Sequence, residues 1–150
     1  MKTVTVNPGT VERKWWVIDA RDAVLGRLAS TAARLLVGKH KTTYSPAHDH
    51  GDFVIVINAD KVAMTGNKRL DMRYFNHSQY AGGWRNLSVA QVEAKRPGYP
   101  VKHAILGMIP HNPLGRQIAT KLHVYAGDQH PHGAQKPEPF ALKTAAKKAS

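Results

Sequence analysis

Leu25, Leu28, Ala29, Ala32, Leu35 and Leu36 recur at the i, i+3, i+4, i+7 spacing of one helix face. Arg27, Ser30, Thr31 and Arg34 fall on the opposite side. The spacing predicts an amphipathic helix over 24–36, with one apolar stripe and one stripe of cations and hydroxyls. Gly38 stops it, and Lys39-His40-Lys41 follow. Such a segment buries one side and offers donors to an anion from the other, although its cations also complement the helix macrodipole. Ahead of it, Trp15-Trp16-Val17-Ile18 is a short apolar run ending at Asp19. After it, Phe53-Val54-Ile55-Val56-Ile57 is apolar without alternation, as in a strand covered on both faces. Strand, helix and buried strand predict a right-handed crossover in a parallel sheet.

Lys61-Val62-Ala63-Met64-Thr65 and Leu70-Asp71-Met72-Arg73-Tyr74-Phe75 are strand-like, and Gly66-Asn67-Lys68 between them predicts a hairpin. Residues 77–87 are expected as a loop carrying Gly82-Gly83-Trp84. Ser88 and Gln91 have capping-box spacing and open a helix that stops near Arg96-Pro97. Val101, Ala104, Ile105 and Met108 mark the next helix. Asn112-Pro113 sets a cap and a first-turn proline for a third, with Leu114, Ile118 and Leu122 turned inward. His123-Val124-Tyr125 reads as a last strand. The chain thus divides into an N-terminal arm (1–14), an α/β body (15–127) and an extended basic tail (128–150). The arm holds a weak alternation over Thr3-Val4-Thr5-Val6 and a turn at Asn7-Pro8-Gly9. The tail is rich in proline, glycine and lysine, with a short helix near its end.

Charge changes the picture. The net charge is +12, with eight basic and four acidic side chains in the first fifty residues, seven and four in the next, seven and two in the last. The excess is spread through the body, which points to a polyanionic partner larger than a small molecule. The absence of cysteine excludes disulfides, thiolate zinc sites and a cysteine nucleophile. No apolar run approaches the ~20 residues that cross a bilayer. No signal-peptide stretch opens the chain, so a cytoplasmic location is expected.

Candidate catalytic chemistry does not assemble. Gly38-Lys39 resembles the end of a phosphate-binding loop, but Ala33 stands at the upstream glycine position and His40 where a magnesium-binding hydroxyl belongs. His48, Asp49, His50 and Asp52 have metal-ligand chemistry but crowd one polar turn. His130-Pro131-His132 with Asp128 suits a chelate, a phosphate contact or a plain loop. Asp19 and Asp60 lie beyond the ends of two expected parallel strands, where open α/β sheets place ligands; turn-shaping is the simpler role. Cations instead recur beside polar and aromatic residues: Asn67-Lys68-Arg69, Arg73-Tyr74, Tyr80 with Gly82-Gly83-Trp84-Arg85, and Arg116 with Lys121. Cations contact phosphates, and rings and guanidinium planes stack on splayed bases.

Val24-Leu25-Gly26-Arg27-Leu28-Ala29, Gly38-Lys39-His40-Lys41, the run Gly51 to Val62 continuing to Thr65-Gly66-Asn67-Lys68, and the block from Gly107-Met108-Ile109-Pro110 through Leu114-Gly115-Arg116 and Val124-Tyr125-Ala126-Gly127 to His130-Pro131-His132 resemble, in order, the bacterial-type large-subunit ribosomal protein L-thirteen family. The resemblance runs from about Trp15 to Pro137. It implies an α/β fold of three layers, α/β/α, with a small, mostly parallel four-stranded sheet. It also implies a structural place in the large ribosomal subunit, on its 23S-type rRNA and beside neighbouring ribosomal proteins, with a role in early assembly. No catalytic activity, cofactor, metal, membrane or small-molecule substrate is implied. Carried over as rRNA contacts are Arg27, Lys39, His40, Lys41, Lys68, Arg116, Lys121, His130 and His132. Arg34, Asn67, Arg69, Arg73 and the tail's Lys136 join them on charge and position. Gln79 stands where the family usually has glycine, and His111 where it commonly has lysine. The competing readings are a small α/β enzyme acting on a phosphorylated ligand near Asp19 and Asp60, and an RNA-binding regulator working outside the ribosome.

Overall fold

The computed structural model describes residues 7–142. In chain order its elements are β1 (Trp15–Asp19), α1 (Leu25–Val37), β2 (Phe53–Ile57), α2 (Lys68–Asp71), β3 (Arg73–His77), β4 (Trp84–Ser88), α3 (Val89–Lys95), α4 (Tyr99–Gly107), α5 (Pro113–Ala119), β5 (Leu122–Val124) and β6 (Glu138–Pro139). β1 and β2 pair in parallel across α1, Trp15 opposite Phe53 through Asp19 opposite Ile57. β5 adds to the outside of β2 and β6 to the outside of β1, both parallel, giving the order β5-β2-β1-β6. The α/β class and the four-stranded parallel sheet are those expected from the sequence.

Strand alternation divides the sheet's side chains between two faces. Ile18, Val54, Val56 and Leu122 meet Leu28, Ala29, Ala32 and Leu36 of α1 and Val101 and Ile105 of α4 in one core. Full burial of each large aliphatic chain is worth roughly 1.5–3 kcal/mol, which is why the apolar stripe of α1 sits where it does. On the other face Trp15 stacks on Phe53, ring centroids 4.3 Å apart, and the His132 ring reaches both Trp15 and His123.

The hairpin forms elsewhere than expected. Gly66-Asn67-Lys68 leads into the single turn α2, whose Leu70 and Asp71 N–H groups bond back to Asn67 O. Residues 61–65 supply only a bridge, Ala63 against Val24. The antiparallel pair is β3 with β4, Tyr74 opposite Leu87. The reason is burial: Tyr74 is buried with Val89 and Val92 in a second small core, with Met64, Met72, Leu87 and Tyr99 packed around them. The expected loop at 77–87 is therefore a shorter turn followed by a strand. Gln79 takes the left-handed φ of +70° that glycine adopts freely. The Ser88–Gln91 capping box and the Asn112 cap form as expected, Asn112 Oδ1 accepting from Gly115 N–H at 2.7 Å. α5 ends at Ala119, so Leu122 serves the sheet and not the helix.

Past Asp128 the chain stays attached to the body. It makes a 3-10 turn at Gly133–Gln135 and adds β6, and Phe140 N–H bonds to Val17 O at 2.8 Å. The expected alternation at Thr3–Val6 and the expected helix near the C-terminus lie outside the described residues. No helix among the described residues is long and apolar enough to cross a membrane.

Candidate nucleic-acid interface

α1 ends where Gly38 takes φ +85° and its N–H bonds back to the Arg34 and Leu35 carbonyls. The chain turns and returns against the helix end so closely that a Cβ on Gly51 would lie 1.6 Å from Leu36 O. That approach carries Asp52, which has no exposed surface, beneath the cations of the turn. Its Oδ1 accepts from Lys14 N–H at 3.0 Å and from Lys41 Nζ, and its Oδ2 accepts from Trp16 Nε1–H at 3.0 Å and pairs with His40 Nε2 at 2.8 Å. Burial by itself would raise the Asp52 carboxyl; donation from Lys41, Trp16 and Lys14 outweighs it and holds the group below its ordinary value. Asp49 makes a second inward pair. Lys121 Nζ donates to Asp49 Oδ1 and, at 3.2 Å, to Leu36 O.

These pairs sort the expected RNA contacts. Lys121 is 3% exposed, and desolvation lowers its pKa against the opposing pull of Asp49. Its ammonium is therefore paired inside the fold, whereas the sequence places it among the outward cations. Lys41 is bonded inward to Asp52 and, at 2.7 Å, to Glu12 O, and His40 shares the same carboxylate. Asp49, His50 and Asp52 do not converge on one point for a metal: His50 Nδ1 instead faces Thr43 O. Among the described residues no group of three or more such ligands gathers.

The outward cations form separate groups. Arg27 and Arg34 are exposed on the outer side of α1, with the Ser30 and Thr31 hydroxyls donating back to Arg27 O at 3.0 Å, and Lys39 follows, also exposed. Asn67, Lys68, Arg69 and Arg73 are exposed around α2 and the start of β3, where Arg69 lies 3.4 Å from Glu93. Arg116 is exposed on α5 and lines, with His103, Ile109, Pro110 and His111, a groove of about 550 Å³. His132 is half-buried, its Nε2 2.8 Å from the Tyr125 hydroxyl, and His130 stacks beside it with a buried Nδ1. Lys136 is exposed just before β6.

Asp19 and Asp60 do not make a reactive pair. Asp19 Oδ1 accepts from Arg21 N–H and Asn58 Nδ2–H, both at 2.9 Å, as a turn-shaping aspartate does. Slight burial pushes its pKa up, but those bonds and the charges of Arg21 and Lys61 bring it below the ordinary value. It is no proton donor near neutral pH. Asp60 sits exposed in a 3-10 turn.

The sequence does not single out Phe75, whereas Tyr80 and Trp84 stand in one of its aromatic and cationic clusters. They are 71%, 79% and 62% exposed. The signal was the alternation Arg73-Tyr74-Phe75-Asn76-His77, which turns Phe75 away once Tyr74 is placed in a core.

The family model described as Ribosomal protein L13 matches residues 13–131. The large ribosomal subunit protein uL13 of Streptomyces avermitilis is 55% identical over 142 residues, 95% of this chain and 97% of its own. The protein of the same name from Mycolicibacterium smegmatis is 55% identical over 146 residues, 97% and 99% of the two chains. That from Symbiobacterium thermophilum is 54% identical over 141 residues, 94% and 99%.

Proposed function

The chain belongs to the ribosomal protein L13 family, and on that premise we propose that it is a structural, non-enzymatic constituent of the large ribosomal subunit that binds rRNA and supports early subunit assembly. Its place is the cytoplasmic ribosome, among rRNA and neighbouring large-subunit proteins. The body over 15–127 is the binding domain, and the basic tail extends its surface. One observation carries the reading at the level of residues: inward cations are matched to Asp49 and Asp52, whereas Arg27, Arg34, Lys39, Lys68, Arg73 and Arg116 are exposed. Such side chains suit phosphates where RNA helices crowd together, each releasing condensed counterions when it binds.

The test is binding of the intact chain to naked large-subunit rRNA over a salt series. Arg27→Gln and Arg34→Gln should each flatten the slope of log affinity against log salt by roughly 0.7–0.9, with an unchanged melting temperature. Slopes equal to the parent's would remove these residues from the interface. A regulator acting outside the ribosome is separated by sucrose-gradient fractionation, because a ribosomal constituent sediments with large subunits.

A further inference from the structure

Among the described residues, four of the six exposed large apolar side chains, Leu70, Phe75, Tyr80 and Trp84, fall within residues 70–84. They belong to the β3–β4 ribbon and its approaches. One side of the ribbon is inward, Tyr74 and Leu87 meeting Val89 and Val92. On the other, cross-strand register places Arg73 opposite Ser88, Phe75 opposite Asn86, and His77 opposite Trp84. Rings and hydrogen-bonding side chains therefore alternate, an amide across from Phe75 and an imidazole across from Trp84.

The surroundings are cationic. Arg73, Arg85, Lys95 and Arg96 are exposed. Arg85, Lys95 and Arg96 line, with Tyr74, Leu87 and Tyr99, a groove of about 350 Å³ on the ribbon's other side, with Phe75 also in its lining. Of the acids nearby, Glu93 is already shared with Arg69, and Asp71 is exposed on α2. An apolar protein surface laid on the rings would strip water from the Arg73 guanidinium on the same face without returning a counter-charge, a costly arrangement. A nucleotide returns one phosphate for each base it stacks.

We propose that the outer face of the β3–β4 ribbon is a stacking platform for unpaired nucleotides of RNA, Phe75 and Trp84 each taking a base while Arg73, on the same face, takes a flanking phosphate and Arg85 and Arg96 add positive charge from the ribbon's other side. The proposal rests on the rRNA-binding reading and narrows it to a single-stranded segment, since bases in a duplex have no free face to offer. Asn86 and His77 stand beside the rings to bond base edges.

The experiment uses the full chain with two probes, naked large-subunit rRNA and single-stranded oligouridine, at fixed salt. Phe75→Leu and Trp84→Leu keep an apolar side chain at exposed sites, and circular dichroism verifies their fold. Each should weaken binding to both probes by roughly five- to a hundredfold, in line with ring–base stacking, and leave the salt slope intact. Phe75→Tyr should bind as the parent does, and ultraviolet crosslinking of the parent complex should attach nucleotides to Phe75 and Trp84. Parental affinity in both leucine variants overturns the platform while rRNA binding stands. Unchanged rRNA affinity with lost incorporation into subunits also overturns it and assigns the face to a protein neighbour. A parent chain that does not bind rRNA overturns both readings.

Discussion

The turn that follows α1 and the β3–β4 ribbon break the usual division of inside and outside in opposite ways. In the turn, charge goes in: Asp52 has no exposed surface, and Lys121 is nearly as hidden. In the ribbon, rings stay out, with Phe75 and Trp84 mostly in solvent. The first inversion is complete within the chain. Both Asp52 oxygens have donors, and Lys121 is shared between Asp49 and a helix carbonyl. The second is incomplete, because nothing among the described residues covers the rings. A buried charge must find its partner in the same molecule or the fold suffers, whereas an exposed ring waits for one at modest cost. Charge alone therefore does not sort the cations of this protein; on the proposed reading, those without an internal acid are the ones left for RNA.

Lys39 and Lys41 sharpen that contrast most. Lys41→Glu would set a carboxylate against buried Asp52, and urea titration should show a loss of about 3–5 kcal/mol. Lys39→Glu, two residues away and exposed, should change stability by less than about 0.5 kcal/mol while weakening rRNA binding. Reversing both together cannot separate assembly from folding.

Lys121→Met comes next. It leaves Asp49 and the Leu36 carbonyl short of a donor, a loss of roughly 1–3 kcal/mol in the same titration, with the rRNA salt slope unchanged. A flattened slope would return Lys121 to the interface.

Acid probes the same inward pairs. The Asp52 and Asp19 carboxyls are held below 3.8 in the folded chain. Their stabilisation is therefore full above that unfolded value and fades as pH falls through the lower folded values. Stability measured down an acid series should drop in that window, and less steeply in Asp52→Asn, which has no carboxyl there to protonate.

The smallest effect concerns the ribbon's turn. Gln79→Gly relieves a left-handed residue at φ +70° and should raise stability by up to about 1 kcal/mol, read as a small rise in melting temperature.

Much of this was legible in the chain. The stripe of α1 and the non-alternating run of β2 are long signals in which every residue agrees, so the crossover and its parallel pairing followed. The capping residues Ser88 and Asn112 act over three residues and were equally plain. The hairpin was not, because Gly66-Asn67-Lys68 is turn chemistry that opens a helical turn as readily as it reverses a strand. What decided it was the burial of Tyr74 against Val89 and Val92, a contact across fifteen residues or more. The surroundings of the cations were hidden for a related reason. Lys39, Lys41 and Lys121 have the same chemistry, and only the fold reveals which of them meets Asp52 or Asp49.

The division between folding cations and binding cations is tested most directly by lysine acylation of the native chain, free and bound to large-subunit rRNA, read by mass spectrometry. In the free chain Lys39 and Lys68 should react quickly, Lys41 slowly and Lys121 least; on binding, Lys39 and Lys68 should become protected while Lys121 does not change. Lys39 and Lys68 reacting as fast in the complex as in the free chain would contradict the account.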